Sequence, residues 1–429
     1  MTEDQRQHSE PLDDARYVTV LIDGEQCRVK SEATVLEAAL ANDLFIPTLC
    51  YDPRMTPAAR CGLCKVEIAG VGTAQACETK VTDGMEVTTF SPALAEARRQ
   101  RLNEILSNHN AYCEPPCSYA CPAGIDIPHY IAAIARGDDA EAIRIVKDRL
   151  PLPRIIGRVC PRPCEKACRR VQIDDEPVAI CQLKRFAGDA VHDQGGLQET
   201  PLPPSGRRVA IIGSGPSGLT AAYYLALDGH EVTMFEALDR PGGMMLHGIP
   251  PYRLPREVIA EEIDDILGLG VTLHLNSKLG EDFTLESLEE ADYDAVYLAI
   301  GAQCGLTGGI AGAEEAEGVY SAVDFLRATN AGTWSRPLGR TLVVGGGFTA
   351  MDVSRTSLRL GADEVTVVYR RTREEMPATP DEVDEAEEEG AELLLLTAPV
   401  SVIQEDGRVT GAVCQKMVLG EADESGRRR

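Results

Sequence analysis

The chain has 429 residues, which at roughly 100–200 residues per domain predicts two to four domains. Its net charge of −26 argues against a nucleic-acid partner, because phosphate binding requires a basic face, while 44% hydrophobic residues suffice for packed cores. No stretch approaches the roughly 20 consecutive apolar residues of a membrane span, so membrane insertion is not expected.

Residues 1–16 are polar and acidic, lack an apolar export segment and read as the disordered tail of a cytoplasmic protein. Tyr17–Ile22 alternates as a strand does, Asp23-Gly24 is a tight hairpin signal, and Gln26–Lys30 is the return strand. Thr34 caps a helix to about Asn42, with Glu37 placed to complete a capping box. A strand at Lys65–Ile68 and shorter strands to Val87 complete a small β-grasp domain over residues 17–90. Residues 91–195 read as a helical domain, opening on a helix over 92–108 and including helices at Ile127–Arg136 and Ala140–Arg149. Gly195–Gly206 reads as a linker. From Arg207 strands and helices alternate, the pattern of parallel α/β sheets, which divides into 207–336 and 337–429. The acidic run Asp381–Glu389 reads as a solvated helix face.

Fourteen cysteines is many for a chain without an export signal, and eleven of them fall between Cys50 and Cys181 in short-spaced groups. Such groups suit ligands converging on one metal centre, and a reducing compartment disfavours disulfides. Cys50, Cys61, Cys64 and Cys77 follow C-x10-C-x2-C-x12-C. A [2Fe–2S] cluster needs four thiolates, and Gly62 between two of them lets the backbone approach the sulfides. A zinc ribbon is the weaker alternative. Placed after a hairpin and a helix, this spacing resembles the [2Fe–2S] domain of the large iron–sulfur subunit of respiratory complex I and of related hydrogenases and formate dehydrogenases. Cys27 on the hairpin reads as an ordinary thiol.

His109, Cys113, Cys117 and Cys121-Pro122 come next, followed by Cys160-Pro161, Cys164 and Cys168. Six cysteines in two triads supply one or two [4Fe–4S] clusters, leaving two ligands short for two. Together with Gly157-Arg158-Val159 and Glu176-Pro177-Val178-Ala179-Ile180, these residues resemble the glutamate synthase small subunit and dihydropyrimidine dehydrogenase. That resemblance implies that Cys113, Cys117 and Cys168 share one cluster, and Cys121, Cys160 and Cys164 the other. His109 is a candidate for one vacancy and Cys181 for the other. The family often has Gln or Glu where Lys184 stands, and lysine is a poor ligand.

Val209–Ile212 is an apolar strand followed by Gly213-Ser214-Gly215-Pro216-Ser217-Gly218 and a helix to about Leu227. Glu236 ends the next strand, Glu231–Phe235. With strand, helix and acid in register, this is the Rossmann dinucleotide fingerprint. Gly213 makes the turn, Gly215 admits a pyrophosphate, Gly218 allows close packing, and Glu236 is placed for ribose hydroxyls. Arg240-Pro241-Gly242-Gly243 and Gly248-Ile249-Pro250 again resemble the glutamate synthase small subunit, which implies FAD here, with Tyr293–Gly301 returning toward the flavin.

Thr341–Val344 opens a second unit with Gly345-Gly346-Gly347-Phe348-Thr349-Ala350, an accepted variant of the fingerprint. Its next strand, Glu364–Tyr369, ends in Arg370-Arg371 where an acid would favour NAD. Arginine forks suit a 2′-phosphate, so NADPH is expected over NADH.

The resemblance implies an iron–sulfur flavoprotein in which FAD converts between hydride and single electrons. Two Rossmann-like α/β domains would follow a β-grasp domain and a small helical iron–sulfur domain. No protein acid or base is expected to be catalytic. A hetero-oligomeric redox partner is expected, of ferredoxin, formate dehydrogenase or hydrogenase type. The family's return segment to the FAD is absent before Arg429, so the flavin domain is expected to lack its C-terminal part. Two other readings stand beside this one: an electron-wiring subunit without nicotinamide chemistry, and a glutamate synthase small subunit proper.

Overall fold

The structure, a computed structural model, describes residues 17–108, 114–305, 308–336, 338–421 and 428. His109 and Cys113 lie outside the described residues. The chain divides between Glu114 and Pro115 into two compact units.

The first unit is built on five strands: β1 (Tyr17–Ile22), β2 (Glu25–Lys30), β3 (Lys65–Ile68), β4 (Gly72–Gln75) and β5 (Glu86–Thr88). They pair in the order β2-β1-β5-β3-β4, with β1 and β5 parallel and the other pairs antiparallel. Asp23 and Gly24 both take positive φ, 48° and 86°, which lets the β1–β2 turn follow the strand twist. The Asp23 carboxylate then holds the far end of the sheet, accepting from the Thr89 amide at 2.7 Å and from its hydroxyl. Thr34 and Glu37 form the expected capping box, and the helix Val35–Leu40 lays Val35, Leu36, Ala38 and Ala39 onto Val20, Ile22, Val66, Ile68 and Val87. It is shorter than the sequence suggests, ending at Leu40 before Asp43 turns to φ 59°.

The second unit begins with short helices at Ile127–Ala135, Asp139–Lys147, Pro153–Val159 and Ile180–Asp193. A parallel sheet follows, made of β6 (Arg208–Ile212), β7 (Glu231–Phe235), β8 (Thr272–His274) and β9 (Ala295–Leu298) in the order β8-β7-β6-β9. The next sheet is also parallel: β10 (Arg340–Val344), β11 (Glu364–Val368) and β12 (Glu392–Leu394). Sequence reading did not foresee the closing hairpin of β13 (Thr397–Glu405) and β14 (Arg408–Lys416), although Asp406-Gly407 carries the same turn signal as Asp23-Gly24, with φ of 50° and 78°.

One core runs from the cluster-bearing helices into the first sheet. Leu152 and Ile155 pack with Ile211, Leu219, Met234, Ile259 and Ile263, each such buried side chain contributing about 1.5–3 kcal/mol. Glu262 fastens this junction. Its two oxygens accept from the Arg154 and Ile155 amides at 2.8 and 2.9 Å, capping the helix Pro153–Val159 from across the core. Arg154 answers with Glu261 and Asp189, and Arg158 also binds Asp189.

The acidic run is not simply a solvated face. It forms the helix Pro380–Glu388 with Glu389 as its C-cap, and these carboxylates meet arginines from four other segments. Asp381 pairs with Arg162, Glu382 with Arg253, Glu385 and Glu389 with Arg355, and Asp384 and Glu387 with Arg373. A charge run in sequence does not reveal its partners when they lie up to 219 residues away.

Burial pushes Glu262 up to about 7, against the pull of its two amides. The folded state then holds more protons than the unfolded chain between about pH 4.5 and pH 7, so this carboxyl's contribution to stability falls as pH rises through that window. Glu262→Gln should flatten that slope, by about 3 kcal/mol across the window at most, in urea midpoints followed from pH 4.5 to pH 8. Parallel slopes for both proteins would refute the assignment. Arg253, 9% exposed, bridges Asp352 and Glu382. Removing it in Arg253→Ala strands two buried carboxylates and should cost about 3–5 kcal/mol in the same assay.

Candidate functional site

Four cysteines of the first unit lie in two pairs. The Cys50 and Cys61 thiols lie within hydrogen-bonding reach of each other, as do those of Cys64 and Cys77, and Cys77 also feels the Cys50 charge. Cys61, Cys64 and Cys77 are buried, and Cys50 is half-buried. Among the described residues no three metal-binding side chains converge on one ion. A pair of thiolate pairs is the donor set of a two-iron rhomb, with two sulfurs per metal, so the residues fit a [2Fe–2S] cluster. Gly62, at φ 66°, turns the loop between two of them. Burial, followed by the bond to Cys64, pushes the Cys77 thiol up to about 12 in the metal-free protein. Cys27 is buried in the same core as Cys64 and Cys77.

In the second unit the free thiols of Cys160 and Cys181 lie within hydrogen-bonding reach of each other, and Cys164 lies within the electrostatic reach of Cys160 and Cys121. Tyr130, buried beneath them, senses Cys164, Cys181 and Cys121 together and donates its hydroxyl to the Ile180 carbonyl at 2.7 Å. The Cys181 bond holds Cys160 down to about 6 and pushes Cys181 up. Cys121, Cys160, Cys164 and Cys181 thus share one electrostatic neighbourhood without converging on a single point, and their number matches the donor set of one [4Fe–4S] cluster. Lys184, one turn beyond Cys181 and 6% exposed, adds a buried ammonium beside Cys160 and Cys181. Cys117 and Cys168 are half-buried.

The first glycine turn is shaped by steric exclusion. Gly213 has φ 105°, and a Cβ there would stand 2.4 Å from the Ala299 carbonyl oxygen; at Gly218 it would meet the Gly213 oxygen at 1.9 Å. A Cβ on Gly243 would lie 2.7 Å from the Gly215 Cα, so two bare backbones meet at the helix start. Gly215 caps the helix Pro216–Leu227 with no side-chain bond, leaving its amides for an anion. Glu236 is buried and accepts from the Ser214 amide at 2.9 Å, the Ser214 hydroxyl at 2.5 Å and the Leu238 amide at 3.0 Å. Ser217 shares a hydrogen bond with Tyr297 at 2.9 Å. Gly242 takes φ 121° beside exposed Arg240. The cradle fits a dinucleotide pyrophosphate.

The second turn repeats the plan. Gly345 takes φ 132°, and Gly347 caps the helix Phe348–Arg359 with no side-chain bond and open space around it. Thr349 is exposed and Ala350 buried. Gly346 accommodates the Tyr369 ring, which a Cβ would meet at 2.7 Å. Arg370 and Arg371 follow β11; neither pairs with a carboxylate among the described residues, whereas Arg373 takes two. Unneutralised guanidinium groups beside an uncapped helix start suit a phosphate. Sequence reasoning placed Arg253 and Asp352 within family-like stretches but missed that they pair, and missed Glu262 altogether, because these roles are set by packing between distant segments.

Family models match three consecutive segments: the 2Fe-2S iron-sulfur cluster binding domain over residues 15–92, dihydropyrimidine dehydrogenase domain II with its 4Fe-4S cluster over 106–196, and pyridine nucleotide-disulphide oxidoreductase over 193–424. The chain is 44% identical to the NADP(+)-dependent formate dehydrogenase subunit beta of Moorella thermoacetica, over 75% of its own length and 48% of the relative's. It is 45% identical to the NADPH-Fe(3+) oxidoreductase subunit beta of Geobacter sulfurreducens, over 73% of this chain and 47% of that one. With the glutamate synthase [NADPH] small chain of Escherichia coli strain K12 the identity is 36%, over 79% of this chain and 73% of that one. The chain spans about half the length of the first two relatives. It belongs to the pyridine nucleotide-disulphide oxidoreductase family, with 2Fe-2S and 4Fe-4S domains preceding its dinucleotide-binding sheets.

Proposed function

We propose that this chain is the electron-transfer subunit of a larger oxidoreductase, moving electrons between NADPH and a partner chain through FAD and iron–sulfur clusters. The observation that carries this reading is the presence in one compact unit of two bare glycine turns, each opening an uncapped helix, together with four cysteines that share one electrostatic neighbourhood. FAD, when bound, supplies the exchange between hydride and single electrons. Gly213, Gly215 and Gly218 with Gly242 and Gly243 admit its pyrophosphate, with Pro216, Ser217 and Arg240 at the rim. Glu236 holds a ribose hydroxyl in exchange for a Ser214 bond. Gly345, Gly347, Thr349 and Ala350 admit the nicotinamide dinucleotide, and Arg370 with Arg371 selects the 2′-phosphate. Cys50, Cys61, Cys64 and Cys77 hold the [2Fe–2S] cluster. Cys121, Cys160, Cys164 and Cys181 hold one [4Fe–4S] cluster; Cys113, Cys117 and Cys168, with His109, are assigned to a second. The relatives named as subunits support a hetero-oligomer, with a partner of formate dehydrogenase, hydrogenase or ferredoxin type. The protein then acts in the cytoplasm, where NADPH is supplied.

Anaerobically prepared holoprotein should bleach its flavin absorbance on adding NADPH. In Arg370→Ala/Arg371→Ala the NADPH concentration for half-maximal reduction should rise about 10- to 100-fold, from lost charge-assisted bonds worth about 1.5–3 kcal/mol, with NADH nearly unaffected. Equal loss for both nucleotides would end the 2′-phosphate assignment. A second check is low-temperature EPR of the reduced protein: Cys160→Ala and Cys181→Ala should alter the same [4Fe–4S] signal, and a normal signal in Cys181→Ala would remove that residue from the ligand set.

A further inference from the structure

The cysteine loop of the first unit is held from outside by a helix. The helix Pro92–Ser107 starts at Ser91, whose hydroxyl accepts from the Leu94 amide at 3.2 Å and donates to Glu67 at 3.1 Å. Leu94 alone of its described residues is buried, so apolar packing holds only its first turn. The remaining grip is polar. Arg98 and Arg101, three residues apart on one face, reach four carbonyls of the loop. Arg98 donates through Nε to Leu63 O at 3.1 Å and through Nη2 to Lys65 O at 2.5 Å. Arg101 donates through Nε to Cys61 O at 3.0 Å and through Nη2 to Arg60 O at 3.0 Å. Gly62 gives Arg101 its path, since a Cβ there would already touch the Arg101 Cγ at 3.4 Å.

Two consequences follow from elementary geometry and charge. In a trans peptide the N–H points opposite to the C=O. Drawing these four carbonyls toward the helix turns the following amides away from it, among them those of Cys61, Gly62 and Cys64 in the ligand loop. The second consequence is electrostatic. Arg101 is partly neutralised by Glu104 at 2.8 Å, whereas Arg98 makes no direct ion pair among the described residues and lies within electrostatic reach of Cys64 first and of the Asp23 carboxylate second. One-electron reduction adds a negative charge to a cluster already surrounded by four thiolates, and a nearby cation favours the reduced form.

We propose that Arg98 and Arg101 are positioning residues of the [2Fe–2S] centre. Together they fix the ligand loop, and Arg98 in particular supplies the positive charge that makes the cluster easier to reduce. This rests on the reading that Cys50, Cys61, Cys64 and Cys77 hold that cluster.

The test uses anaerobic full-length holoprotein, an EPR-monitored redox titration of the [2Fe–2S] signal, and the rate of iron release to a chelator. In Arg98→Gln the reduced-to-oxidised ratio at a fixed potential should fall about tenfold, about 59 mV for a one-electron couple, and iron release should quicken. Arg98→Lys keeps the charge but not the fork, so its potential should stay close to wild type while iron is still lost faster. Arg101→Gln should quicken iron release with a smaller change in potential. A variant that folds, keeps its [4Fe–4S] signals and cannot retain the [2Fe–2S] cluster also supports the assignment. Wild-type potential and wild-type iron release in Arg98→Gln would overturn it; should that variant not fold, unchanged iron release in Arg101→Gln does so. Absence of any [2Fe–2S] signal from folded wild type would instead refute the cluster reading itself.

Discussion

Buried arginines caught between carboxylates are the constraint on which the second unit depends. Electrons pass between separate cofactors only where the distances between them are short and fixed, so elements that bear different cofactors must be docked firmly. Here the fastening is ionic as well as apolar. Arg154 and Arg158 tie the helix that leads to Cys160 to Asp189 and Glu261, while Glu262 caps that same helix. Arg253, ten residues after Gly243, reaches two helices that flank the second dinucleotide sheet, at Asp352 and Glu382. Arg162, two residues after Cys160, pairs with Asp381 on the same acidic helix. The pairs of the largely buried Arg154, Arg158 and Arg253, unlike the exposed Arg162–Asp381 pair, are costly to form and still costlier to break singly, which makes the arrangement specific rather than merely adhesive.

The acidic helix Pro380–Glu388 gains a structural meaning from this. It contributes to the net charge of −26, yet several of its carboxylates are spent on arginines. Against that background Arg370 and Arg371 stand out. In a chain where arginines nearby are neutralised several times over, two adjacent guanidinium groups carry no carboxylate among the described residues. Unneutralised cations next to an uncapped helix start are held ready for an anion from outside the chain.

Local signals were legible in the sequence and long-range ones were not. Asp23-Gly24, the Thr34–Glu37 box and the two glycine turns each encode a conformation within a few residues, and each is formed as its chemistry requires. The thiol groups were legible for a similar reason, since close spacing restricts where sulfurs can go. The placement of Cys181 near Cys160 was only partly foreseeable, because 20 intervening positions say nothing about register; the helix Ile180–Asp193 decides it by turning Cys181 inward with Lys184. Arg98 and Arg101 were invisible as anything beyond a basic helix face. Their targets are main-chain carbonyls, which no side-chain pattern announces.

That last contrast separates two ways of holding a redox centre. The cysteines choose the metal, and their positions are written in the spacing of a single residue type. What tunes the centre is written elsewhere. At the first site it is a pair of guanidinium groups gripping the loop from a helix that begins 27 residues beyond Cys64; at the second it is a buried ammonium, Lys184, beside Cys160 and Cys181. In the proposed assignment of the clusters, both lie where reduction would add negative charge, and both are residues that are poor ligands for iron. A chain that must accept electrons at several centres in sequence needs their affinities graded. Cations set into the surrounding helices can grade them without altering the thiolates that hold the clusters.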